Sequence, residues 1–133
     1  MKKYIVLTIV LLILTFCFIS CVANDNITID DISTIEKEWK NSPDDFRLKY
    51  DNKTITVSIP VRGIIKNADT GVVTDIFYNQ NDVFIMVSFL DTEVADSIKN
   101  IEIGNTVSIE GYTLSVDDSG VYFVATKIVN VKM

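Results

Sequence analysis

Thr54-Ile55-Thr56-Val57-Ser58-Ile59-Pro60-Val61-Arg62-Gly63 alternates without interruption. Ile55, Val57, Ile59 and Val61 fall on one side of the chain; Thr54, Thr56, Ser58, Pro60 and Arg62 fall on the other. A period of two with a single apolar side is the pattern of a half-buried β-strand. Pro60 has no N–H to give to a ladder, so the strand is expected at a sheet edge or bulged there, and Gly63 lets it bend.

Upstream the period is close to 3.6. Asp30 or Asp31 stands as an N-cap ahead of Ile32, Ile35 and Trp39, which share one helical face. Ser42-Pro43-Asp44-Asp45 is a second start signal, with a capping hydroxyl, proline at the first helical position and carboxylates in the first turn. Phe46 and Tyr50, four apart, share a face of the short helix that follows. The expectation is one helix broken or re-entered at Pro43.

Downstream, residues 66–71 read as a loop, 72–78 as a second strand and 83–90 as a third. The third is apolar on both sides, so it is expected to be central and covered on both faces. Asp91 caps a short helix over 92–99, with Val94, Ala95 and Ile98 as its apolar side. A fourth strand over 106–114 turns Val107 and Ile109 inward and can bend at Gly111. Asp117-Asp118-Ser119-Gly120 makes a hairpin turn into a final strand over 121–131.

Three strands, a short helix and two more strands, with a long bent first strand, are the layout of a mainly β, five-stranded OB-fold-like Greek-key barrel. Here the barrel is preceded by an N-terminal helix. Glycines in the first and fourth strands fit strands that must curl to close. Val87-Ser88-Phe89-Leu90-Asp91, the short helix, and Ile103-Gly104-Asn105-Thr106-Val107-Ser108-Ile109-Glu110-Gly111 carry a further likeness. Together with Asn41, Tyr50 and Lys53 ahead of the first strand, they resemble the tRNA-anti-like family of small bacterial OB-fold proteins, many of them predicted lipoproteins. The resemblance implies the same barrel. It implies nucleic-acid binding only through the shared fold, and fold does not carry function.

The chain begins Met1-Lys2-Lys3-Tyr4 and continues as an apolar run over 5–19, short for a membrane span and fitting the core of a signal peptide. Phe18-Ile19-Ser20-Cys21 resembles the bacterial lipobox, in which a small residue precedes a cysteine that is acylated and becomes the new N-terminus. Phe16 is too bulky to precede the cut, so Cys17 is expected to leave with the signal. The expected organisation is a lipoprotein signal peptide over 1–20, a lipidated tether over 21–30 and a single OB-fold-like domain over 31–133. The protein is expected to be held by lipidated Cys21 on the extracytoplasmic side of the cell membrane.

Loss of Lys2 and Lys3 leaves 10 of the 12 Lys+Arg against 18 Asp+Glu, moving the net charge from −6 to −8. That balance opposes phosphate-backbone binding, so a nucleic-acid partner is not expected. With no histidine, Ser-His-Asp and Cys-His catalysis are excluded, and zinc and haem sites are disfavoured. Asp30-Asp31 and Asp44-Asp45 read as helix N-terminal charges and Asp117-Asp118 as turn chemistry. No nucleophile–base pair or metal cluster can be named, so no catalysis, cofactor or metal is expected.

OB barrels bind along the second and third strands, with the loops after the first and fourth strands as rims. Those loops would be 66–71 and 116–120, and the candidate contacts are Arg62, Lys66, Tyr78, Tyr112 and Tyr122. The competing reading has each tyrosine packed over a barrel end with its hydroxyl in water. The expected role is a non-catalytic interaction or scaffold module of the cell envelope, docking a protein partner through a sheet edge or the Trp39 helix face. The alternative is an envelope glycan or peptide ligand on the barrel face, for which Tyr78 and Arg62 should stand exposed side by side.

Overall fold

The computed structural model describes residues 26–133. The signal segment, Cys17, Cys21 and the start of the tether lie outside the described residues. The fold is mainly β. In chain order the elements are β1 (Asn26–Ile29), α1 (Ile32–Asn41), α2 (Pro43–Tyr50), β2 (Thr54–Pro60), β3 (Gly63–Lys66), β4 (Val73–Gln80), β5 (Val83–Ser88), α3 (Thr92–Asp96), β6 (Thr106–Val116) and β7 (Gly120–Lys132). All seven strands join one mixed sheet in the order β1-β2-β6-β7-β5-β4-β3. The β1–β2 and β5–β7 pairs are parallel and the others antiparallel.

Among the described residues seven strands stand where five were expected, for two reasons. The first expected strand is split. Ile55, Val57, Ile59 and Val61 are buried as the alternation requires, but β2 ends at Pro60 and β3 starts at Gly63. Between them Val61 N–H donates to Asn105 O at 2.8 Å and Arg62 N–H to Phe77 O at 2.9 Å. Consecutive residues thus bond to opposite parts of the sheet, which must curl to bring those parts together. No ladder pairs β2 with β3, so the sheet is not a closed barrel.

The second reason lies in the expected tether. Asn26 to Ile29 form β1, in register with Thr54 to Val57 of β2, and Ile29 is buried. Their alternation is too brief to read as a strand alone; pairing with β2 supplies what local propensity lacks. Because β1 covers only the first half of β2, Pro60 sits where β2 has no outer neighbour among the described residues, and its missing N–H breaks no ladder bond there.

The helix signals act as written. Asp31 Oδ1 accepts from Ser33 N at 2.9 Å and caps α1, while Ser42 Oγ accepts from Asp45 N at 3.2 Å and caps α2. Ile35 and Trp39 bury the inner face of α1, and Phe46 and Tyr50 that of α2, with ring centroids 4.5 Å apart. Glu38 joins the two helices, accepting from Lys49 Nζ and Tyr50 OH, each at 2.6 Å. The third helix is shorter than expected. After Asp96 the chain runs on as turns, while Ala95 and Ile98 stay buried.

At Gly111 the backbone of β7 comes too close to leave room for a side chain. A Cβ there would lie 1.9 Å from Val124 O, and the register of the two strands shifts between Glu110 and Gly111. The glycine permits a bulge, and the bulge adds curvature to the sheet.

Candidate ligand-binding face

The site begins with the side-chain alternation of β4 and β5. Ile76 and Tyr78 of β4 point into the core, as do Val83, Ile85 and Val87 of β5. Their neighbours Phe77, Phe84 and Met86 take the opposite side and are only half-buried. The strand expected to be covered on both faces is therefore covered on one. Phe77 pairs across the ladder with Met86, and Met86 with Tyr122 of β7. Ring centroids of Phe77 and Phe84 lie 5.7 Å apart, and those of Phe84 and Tyr122 lie 6.0 Å apart. At the β3 side, the Phe77 ring occupies the space that a side chain at Gly63 would need, 1.9 Å from the position of its Cβ. The result is a continuous row of three rings and a thioether on the outer face of the sheet.

Polar groups border the row. Asp75, on β4 and on the same side as Phe77, accepts from Ser88 Oγ at 2.5 Å. Tyr122 OH lies 2.8 Å from Ser119 Oγ. Both rims are locked by their own hydrogen bonds. Asn67 Oδ1 accepts from Asp69 N at 2.9 Å and Thr70 N at 3.1 Å, and Gly71 completes that loop at φ 70°. Asp117 Oδ1 accepts from Ser119 N at 2.8 Å and Gly120 N at 3.1 Å. Hydrogen bonds from the Ser119 hydroxyl and backbone hold the Asp117 carboxyl below its ordinary range.

The five residues expected to contact ligand do not converge. Only Tyr122 belongs to the row. Arg62 and Lys66 are exposed, Lys66 at the end of β3, and Tyr112 is 41% exposed on β6. Tyr78 is 3% exposed, and its hydroxyl donates to Glu36 Oε1 at 2.6 Å, with Gln80 Oε1 at 3.2 Å. It anchors α1 to β4. Tyr78 and Arg62 therefore do not stand exposed side by side. The Trp39 face is also withdrawn from solvent: Trp39 is 9% exposed and donates Nε1–H to Asp117 O at 2.9 Å. Sequence reasoning missed Phe77, Phe84 and Met86. The available signal was the polar company they keep at alternate positions: Asp75 and Asn79 around Phe77, Ser88 beyond Met86.

Burial first, and then the hydrogen bond to Glu36, push the Tyr78 phenol up to about 12 from an ordinary value of 10. The folded protein holds this proton more tightly than the unfolded chain. Stability from this group is full below pH 10 and is lost as pH rises toward 12. Urea denaturation of the wild type is expected to show that loss, and Tyr78→Phe a smaller one. Equal losses would remove Tyr78 as the cause.

Among the described residues no three Asp, Glu, Cys or His side chains converge as a metal-ligand set, and no helix is long and apolar enough to cross a membrane. No family model matches the sequence, and no curated protein matches it.

Proposed function

We propose that this chain is an exported, lipid-anchored binding module of the cell envelope, acting without catalysis on an extended segment of a protein partner laid along the outer face of β4, β5 and β7. The row Phe77–Phe84–Tyr122 carries this reading. Half-buried rings in contact across three strands offer a flat apolar track, and aromatic tracks bind by area at low entropic cost. A polypeptide is favoured over a glycan by the edge beside the row. β3 has no strand on its far side among the described residues, so an extended chain has backbone groups to pair with as well as rings to lie on.

The reading includes an OB-type layout and kinship with the tRNA-anti-like proteins. Treating β2 and β3 as two halves of one bent strand, joined through Val61 and Arg62, gives five topological strands. The first then flanks the fourth with one half and the second with the other, and the third and fifth run parallel. On that layout the aromatic row falls on the face such barrels use for binding.

A photoreactive phenylalanine analogue in place of Tyr122, irradiated on intact cells, should form a protease-sensitive adduct. The adduct should vanish when Phe84→Ser is added in a variant whose thermal melt shows it folded. An adduct that survives Phe84→Ser, one that resists protease and yields to glycosidase, or none at all would reject the reading.

A further inference from the structure

Carboxylates border the row of rings at both of its ends. Asp75 is at one, two residues along β4 from Phe77 on the same side, and its Oδ1 is hydrogen-bonded to Ser88. At the end of the row where Phe84 pairs with Gly120, two turns bring further carboxylates. Asp82 sits in the β4–β5 turn, with φ 63°, and Asp118 in the β6–β7 turn, both exposed. Two cations stand on the β3 side: Lys66 follows Ile65, the partner of Asp75, and Arg62, whose N–H bonds Phe77 O, also acts by its charge on the core-side Tyr78 hydroxyl; the Phe84 and Tyr122 end has the turn carboxylates.

On the reading that the row takes an extended segment, we propose that this segment is basic, a stretch of polypeptide with Lys or Arg side chains lying over the Phe84 and Tyr122 rings and facing Asp75 and the turn carboxylates. A cation within about 6 Å of a ring face is attracted by the ring's quadrupole. The carboxylates add attraction of the same sign, and the charge of the whole chain, −6, steers such a partner in and turns anionic ones away. An acidic glycan or a nucleic acid would meet repulsion at the site and over the surface alike. The apolar row alone does not distinguish these ligands. The placement of the carboxylates does.

The test uses the full chain in zwitterionic detergent micelles and three labelled peptides of equal length, alternating tyrosine with lysine, serine or glutamate, read by fluorescence anisotropy. The lysine peptide should bind at least about tenfold tighter than the serine peptide, and the glutamate peptide should bind weakest. The preference should shrink as salt rises and in the Asp75→Asn/Asp118→Asn double variant. Binding of the lysine peptide should be lost in Phe84→Ser or, should that variant not fold, in Tyr122→Ser. Equal binding of lysine and serine peptides, lost in the ring variants, would overturn the charge preference and leave the row as the binding face. Lysine-peptide binding that survives the ring variants would overturn both, as would no binding of any peptide.

Discussion

Replacing Trp39 with alanine is expected to cost about 3–5 kcal/mol of unfolding free energy, the range for removing a large buried aromatic side chain. The chain has one tryptophan, and it is the point at which α1 meets the far end of the sheet. Its ring is buried with Ile35 on the inner face of α1, and its Nε1–H donates to Asp117 O at 2.9 Å. Trp39→Phe keeps most of the apolar area and removes only the donor. It should cost about 0.5–1.5 kcal/mol, since the turn carbonyl it abandons is close to water. Urea denaturation followed by circular dichroism separates the two, with a much larger fall in midpoint for alanine. A loss below about 1 kcal/mol for alanine would mean that α1 contributes little to the core. The contact also has a functional side. The turn that Trp39 holds carries Ser119, the hydrogen-bond partner of Tyr122, so undocking α1 should loosen one rim of the aromatic row.

Much of the fold was legible because its signals are local. Asp31 and Ser42 set the helix starts through hydrogen bonds within three residues, Pro43 adds its fixed φ at the first helical position, and Asp117 organises its turn as the caps do. The alternation of β2 was legible because one of its faces is solvated and the other is core. Two features were not legible. Asn26 to Ile29 become a strand only because β2 lies beside them, and no local pattern of that length specifies a partner. The split between β2 and β3 was half-visible in Pro60 and Gly63. It became a change of neighbours, from β6 to β4, only because the whole sheet curls around Val61 and Arg62.

Of the five expected contacts, only Tyr122 lies in the row of rings proposed as the binding face. Tyrosine was favoured for its polar tip, yet Tyr78 uses that tip inside the fold, on Glu36 of α1. Phe77 and Phe84 look like core residues by composition. Their sides are set by alternation, and in β5 both sides are apolar, so alternation there gives two equally good answers. The tie is broken by β4. Asp75 and Asn79 mark one of its faces as solvated, and the ladder carries that assignment from Phe77 to Met86 and on to Tyr122. Strand pairing, which one sequence does not contain, was the missing information.

Cys21→Ser is expected to abolish incorporation of a palmitate analogue and to move the protein from the membrane fraction to an uncleaved precursor or a soluble form. Cys17→Ser should change neither. The expectation rests on chemistry available only to a thiol preceded by a small residue: Ser20 precedes Cys21, whereas Phe16 precedes Cys17. Acylation at more than one position would make the difference large, because a single chain binds membranes only marginally and each further buried methylene adds about 0.8 kcal/mol. Wild-type protein found in the membrane unlabelled and at full mass would instead identify the apolar run over 5–19 as the anchor and reject the lipoprotein reading. The outcome also bears on the partner. From Cys21 to Asn26 the chain can reach at most roughly 18 Å, so an acylated Cys21 holds β1 within that distance of the bilayer surface. The row, on β7, β5 and β4 and so towards the other edge of the sheet from β1, would then stay within a domain's breadth of the membrane, and its basic segment would be sought in proteins that reach that zone.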